Sequence, residues 1–144
     1  MVPVTFSSSL EGVDWAELKA ALVADRFDNL RTPAEYRRSH ENSHAVIFGR
    51  CDGRFVANGR ILSDGVCNAY LVDVWTASEY RRQGIGREVV TRLLATTPGQ
   101  HVGLFTDDMR AFYARLGFRV QRDGMSRVVG DWLGRPAPTR GERP

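Results

Sequence analysis

Six consecutive residues, Arg81-Arg82-Gln83-Gly84-Ile85-Gly86, set two guanidiniums and a carboxamide beside two glycines, just ahead of an apolar pattern of helical period. The first amides of a helix lack intrahelical partners and carry partial positive charge. Glycines leave those amides open to close approach. Such a junction suits an anion, and phosphate is the natural guest. The chain carries no Gly-x-x-x-x-Gly-Lys-Ser/Thr loop, and a dinucleotide fingerprint needs glycine or alanine at position 89, where Val89 stands. The spacing Arg81-x-x-Gly84-x-Gly86 therefore reads as a cradle for a pyrophosphate, formed by successive backbone amides.

Several titratable residues invite a chemical role. Asp73 sits in the apolar run "YLVDVW", where alternation places it on one face with Leu71 and Trp75. A carboxylate among apolar neighbours is costly unless paired or used, and desolvation would raise its pKa toward that of a base. The alternative is a structural acid bonded to backbone or to an arginine. Asp107 and Asp108 follow a strand-like run and precede a helical one, so they either cap that helix or act chemically. Tyr113 lies on the apolar stripe Met109, Phe112, Tyr113, Leu116, which periodicity alone assigns to a core. His101 opens a strand, as a base or as a residue without a role. Cys51 and Cys67 lack an activating charged context.

Positioning these residues requires the following elements. "VTFSS" (4–8) suits a first strand. "VDWAELKAALVADRF" (13–27) reads as a helix with Asp14 and Glu17 as a capping pair, and "TPAEYRRSHEN" (32–42) opens another with Thr32, Pro33 and Glu35. "HAVIFGR", "RFVANGRIL" and "NAYLVDVW" form a three-stranded antiparallel meander, turned at Asp52-Gly53 and Asp64-Gly65. A helix on Ile85, Val89, Leu93 and Leu94, a buried strand over 101–106, a helix from Asp107 to a Gly117 stop, and a last strand over 125–133 complete the order. The fold class is α/β: a mixed sheet, a meander followed by a βαβα unit, with helices on both faces. Residues 1–133 form one domain, and the Pro/Gly/Arg-rich tail 134–144 is expected to be disordered.

The 144 residues, 42% hydrophobic and 26% charged, allow one domain with a genuine core. The N-terminus lacks the flank and apolar stretch of a signal peptide, and no apolar run reaches a membrane span, so a cytoplasmic protein with no membrane partner is expected. The three histidines and two cysteines form no metal-ligand pattern. Net charge is +3, and Lys19 is the only lysine. Scattered arginines argue against a nucleic-acid partner, while a mild positive field favours a polyanionic small molecule.

The chain resembles the GNAT acyltransferase superfamily, whose members transfer acyl groups from coenzyme A to amines. Its Arg/Gln-x-x-Gly-x-Gly/Ala motif stands here as "RRQGIG" behind "YLVDVWTASEY". A second element, Tyr-x-x-x-Gly-Phe, stands as "FYARLGF" (112–118). Within the superfamily the wording is similar to the arylalkylamine and serotonin N-acetyltransferase branch. The resemblance implies acetyl-CoA as co-substrate and no metal. It implies amides from Arg82 to Gly86 on the pyrophosphate, with Arg81 beside them, and strand backbone at Val74, Trp75 and Thr76 on the pantetheine arm. It makes Tyr113 the acid that protonates the thiolate. It gives Asp73 and Asp107 catalytic places, and leaves Arg115 between a solvated charge and a contact to the 3′-phosphate. The acceptor is expected to be a small primary amine, drawn by acidic residues, with Trp75 or Tyr70 as a stacking wall. A homodimer is expected by analogy.

Overall fold

A computed structural model describes residues 3–136. Its core is one five-stranded sheet in the order β1-β2-β3-β4-β5. The strands are β1 (Thr5–Ser7), β2 (Ala45–Cys51), β3 (Arg54–Ser63), β4 (Asn68–Thr76) and β5 (His101–Gly103). All neighbours are antiparallel except β4 and β5, which are parallel and joined through α3 (Ile85–Leu94). The helices α1 (Trp15–Ala24) and α2 (Pro33–Glu41) cover one face, and α3 covers the other. The last helix, α4 (Arg110–Arg115), has six residues. Among the described residues no helix is long and apolar enough to cross a membrane.

Local chemistry explains most boundaries. Asp14 accepts from the Glu17 amide to start α1. Thr32 and Glu35 exchange a reciprocal pair of hydrogen bonds with Pro33 at the first position of α2. Asp52 and Gly53 both take positive φ, the type I′ geometry that suits a two-residue hairpin. In the longer second turn, the Asp64 carboxylate accepts from the amides of Val66, Cys67 and Asn68. Those bonds hold its pKa down at about 2.

Two apolar clusters sandwich the sheet. Ile47, Ala57, Ile61 and Leu71 pack on Ile85, Val89, Val90 and Leu93 of α3. Val46, Phe48, Phe55 and Trp75 pack on Leu18, Leu22 and Tyr36 of α1 and α2. Leu71 and Trp75 therefore lie on opposite faces, not on one face as alternation predicts. The cause is a bulge: Asn58 pairs with Trp75 and Arg60 with Val72, so Asp73 and Val74 together oppose Gly59. One extra residue reverses the inside–outside order of everything after it. Gly59 permits the close layer beneath, because a Cβ there would lie 2.7 Å from Val89.

The C-terminal third departs from expectation. The strand β5 stops at Gly103 instead of running to residue 106, and its residues are half-buried or exposed rather than buried. No strand forms over 125–133. Residues 119–131 are exposed throughout and find no sheet partner, and a 3-10 turn follows at Trp132–Gly134. Part of the expected tail is ordered. Arg135 grips both carboxylate oxygens of Glu35 (2.9 and 2.8 Å) and the Leu30 carbonyl (2.7 Å). The remaining expected tail, 137–144, lies outside the described residues.

Candidate active site

The strand β4 has nine residues but meets β5 only at Asn68, Ala69 and Tyr70. From Leu71 to Thr76 its edge faces no strand on that side. The two chains splay at the carboxyl ends of a parallel pair, where α/β proteins hold ligands. The bulge at Asp73 and Val74 sits in this opening, so neither residue has a register partner on β3.

Beyond Thr76 the chain makes a 3-10 turn, Ser78–Tyr80, and reaches the phosphate-type loop. Arg82 and Gly84 take positive φ, +63° and +81°, and turn successive amides toward the start of α3. Gly84 caps α3 with no side-chain hydrogen bond, so the first-turn amides have no side-chain partner from the cap. Open space surrounds the place of its missing Cβ. Gly86 is closely packed as well: a Cβ would lie 3.2 Å from Thr76 Oγ1 and 3.4 Å from Phe112, so those side chains would have to shift. Gly84, Ile85 and Gly86 thus stand at an α3 N-terminus that no cap side chain covers. Ile85 itself is buried and anchors α3.

Asp25, which the sequence reading passed over, pins this loop. Its carboxylate accepts from the Trp75 indole (2.9 Å) and the Ser78 amide (3.1 Å), and Arg81 lies 3.8 Å away. Burial would raise its pKa, and these bonds outweigh burial and lower it. Arg81 also donates to the Thr76 carbonyl (3.1 Å), so it braces the loop it was expected to charge. Arg82 is exposed, and Gln83 is half-buried beside it.

Trp75 is 2% exposed and belongs to the core beneath α1, which removes it as a stacking wall. Tyr70 keeps that place: it is 36% exposed, with its ring 6.0 Å from Phe105. Tyr113 packs edge-on between Phe112 (4.9 Å) and Phe118 (5.7 Å) against the α3 cluster. Its hydroxyl makes no hydrogen bond among the described residues, and burial raises its pKa, so it stays a proton donor. Gly117, at φ +92°, ends α4 as expected.

Asp73 reverses expectation. Its φ of +57° turns it out of strand alternation and into two ion pairs, with Arg31 (2.7 Å) and Arg60 (2.6 Å). Burial works to raise its pKa, but the two guanidiniums prevail and hold it below the usual carboxylate value. The expected upward shift is therefore corrected, and with it the fitness of Asp73 as a base. Arg31 stacks 4.6 Å over the Tyr36 ring and bonds Asn29 and Ser39, and Arg60 reaches Ser39 and Ser43. Neither arginine carried a local signal, since the partners stand 42 and 13 positions from Asp73.

Asp107 and Asp108 are both exposed, and neither caps α4, which begins at Arg110. Thr106 accepts from the Met109 amide instead. Arg115 is exposed in the last turn of α4 and forms no ion pair among the described residues. His101 is exposed and its amide bonds the Cys67 carbonyl. Among the described residues no three His, Cys, Asp or Glu side chains group as metal ligands.

Comparison with known proteins agrees with this geometry. The family model for acetyltransferases of the GNAT family matches residues 13–118. A serotonin N-acetyltransferase of rice, named as chloroplastic, is 30% identical over 125 residues, covering 81% of this chain and 62% of its own. A soybean protein named as a histone acetyltransferase is 30% identical over 93 residues, covering 62% of this chain and 38% of its own. The chain thus spans less than two thirds of the length of either relative. Among solved structures, a protein of Deinococcus radiodurans R1 assigned as an acetyltransferase superposes with a TM-score of 0.77 at 27% identity, covering 95% of this chain and all of that one. A protein of Xanthomonas campestris pv. campestris assigned to the GNAT family gives 0.76 at 28%, covering 90% and 96%. The family model spans the splayed parallel pair, the bulge and the N-terminus of α3, and the chain belongs to the GNAT acetyltransferase family.

Proposed function

We propose that the protein transfers an acetyl group from acetyl-CoA to a small primary amine, directly and without an acyl-enzyme. The observation that carries this reading is the unpaired edge of β4, running through the bulge into a helix N-terminus whose cap brings no side chain. Backbone amides from Arg82 to Gly86 would hold the pyrophosphate, and the edge at Val74 to Thr76 the pantetheine arm. Acetyl-CoA supplies the activated thioester. The two cysteines support no acyl-enzyme: Cys51 is buried, and Asp64 raises the pKa of Cys67.

In this mechanism the incoming ammonium first loses a proton to solvent, with exposed Asp107 as the candidate acceptor. The nitrogen then attacks the thioester carbonyl, the C–N bond forms and the C–S bond breaks. The Tyr113 hydroxyl protonates the departing thiolate, and the second proton shed by the nitrogen restores that hydroxyl through solvent. Net, one proton is released per acetyl group. Most of the rate gain comes from positioning on the strand edge and from a backbone amide near Val74 that meets the oxyanion.

Thiol release from acetyl-CoA, measured against tryptamine, serotonin, polyamines, amino sugars and a lysine peptide, tests the reading. Turnover of a small amine that falls in Tyr113→Phe supports it. Turnover of the peptide alone would favour the protein-acetylating alternative, which the name of the soybean relative raises. Binding of acetyl-CoA without any turnover would favour an acyl-CoA-sensing module.

A further inference from the structure

A cavity of about 230 Å³ opens between α1, the loop after it and the β4 bulge. Its walls include Lys19, Arg26, Asp28, Arg31, Tyr36 and Asp73. The chain's only lysine is buried here, with its side chain 7% exposed. Both carboxylates in the wall are already committed. Asp28 takes Lys19 (2.6 Å) and the Leu30 amide (3.0 Å), and Asp73 takes Arg31 and Arg60. The cations are not exhausted. Asp28 takes one of the three N–H groups of Lys19. Asn29, Ser39 and Asp73 take three of the five of Arg31. Arg26 stands exposed at the rim, held at φ +60° by the turn that ends α1, and forms no ion pair among the described residues. The unspent charge of this cavity is positive, opposite to the acidic lining expected from the sequence.

We propose that this cavity seats an oxyanion, a carboxylate or phosphate, carried by the acceptor itself. The acceptor is then an anionic or zwitterionic amine, not a simple aryl- or alkylamine. Asp73 forms part of the cavity wall and directly precedes Val74 on the open strand edge, so an acceptor anchored by its anion holds its amine beside the bulge. The same guanidiniums disfavour the ammonium form of that amine, which eases loss of its first proton where no paired carboxylate is free to take it. The word acceptor rests on the acetyl-transfer reading, whereas the capacity to bind an oxyanion does not.

The test compares matched amines that differ only in the anion: phenylalanine against 2-phenylethylamine, and O-phosphoethanolamine against ethanolamine. Thiol release is followed at saturating acetyl-CoA, in wild type and in Arg26→Glu. The anion-bearing member of at least one pair is expected to show a kcat/KM about tenfold higher or more, carried by KM, and Arg26→Glu to abolish that preference. The pair that responds identifies the oxyanion. Equal or better use of both amines that lack the anion overturns the inference while leaving acetyl transfer intact, and so does a preference that survives Arg26→Glu. If nothing turns over, calorimetric binding of N-acetylphenylalanine and O-phosphoethanolamine decides: heat that vanishes in Arg26→Glu upholds the site, and no heat overturns it. Failure of acetyl-CoA itself to bind would refute the catalytic reading alone. Arg26 is exposed, and Arg26→Gln serves as a milder variant should the charge reversal disturb folding.

Discussion

Asp73→Asn separates a structural carboxylate from a catalytic one. The Asp73 side chain is 9% exposed, and its two partners are 8% and 12% exposed. Asparagine keeps the shape but removes the charge, and turns an N–H donor toward one of two guanidiniums that need acceptors. Removing one partner of a buried pair costs about 3–5 kcal/mol, because an uncompensated charge stays behind. Asparagine retains one acceptor, so about 3–4 kcal/mol is the better figure. For a chain of this size that corresponds to a Tm loss of about 10–15 °C at pH 7. The pH dependence has a definite sign. The folded pKa lies below the unfolded one, so the stabilisation is fully present above the unfolded value of about 3.9 and is lost as pH falls through the folded value. Wild type and variant should therefore converge in acid. The assay is thermal unfolding by circular dichroism from pH 7 down to the acid limit of folding. A variant whose Tm stays within about 2 °C of wild type at pH 7, while its turnover collapses, would refute the reasoning and restore Asp73 as a base.

Three further outcomes follow from the site. Tyr113→Phe keeps the ring between Phe112 and Phe118, so Tm should change little, while kcat for thiol release falls about 100-fold with the KM for acetyl-CoA unchanged. Gly86→Ala sets a methyl group 3.2 Å from Thr76 Oγ1 and 3.4 Å from Phe112, so calorimetry should show acetyl-CoA binding weakened about tenfold. Asp25→Ala removes the acceptor for the Trp75 indole and the Ser78 amide. Leaving the buried indole N–H unpaired costs about 1–3 kcal/mol, seen as a lower denaturant midpoint, and the freed loop should also raise the KM for acetyl-CoA.

Much of the frame was legible because its signals are local. The capping residues of α2, the Asp-Gly hairpin turn and the two glycines at the start of α3 each act through neighbours in sequence, and the structure places each as expected. The last strand failed for a physical reason. A β-rich composition over 125–133 does not make a strand where the segment buries no apolar face, and residues 125–132 are all exposed. Instead the segment after it turns to α2, where Arg135 meets Glu35, a partner 100 positions earlier in the sequence.

The bulge shows why the site was harder to read than the frame. Period-two alternation placed Leu71, Asp73 and Trp75 on one face. One inserted residue against Gly59 sends Trp75 into the core under α1, where Asp25 takes its indole N–H. The same insertion aims Asp73 at Arg31 and Arg60. Two local clues existed: an aspartate inside an apolar run, and a glycine in the neighbouring strand where a side chain would strike Val89. Neither names the partners, because an ion pair across 42 positions is fixed only when α2 packs on the sheet. The proposed shift from an acidic to a cationic acceptor side follows from that pairing. Once Asp73 is paired with two arginines and Asp28 with Lys19, the cavity wall keeps a net positive charge, with Arg26 at its rim outside any ion pair among the described residues, and the ligand's chemistry is to be sought in what those cations can hold.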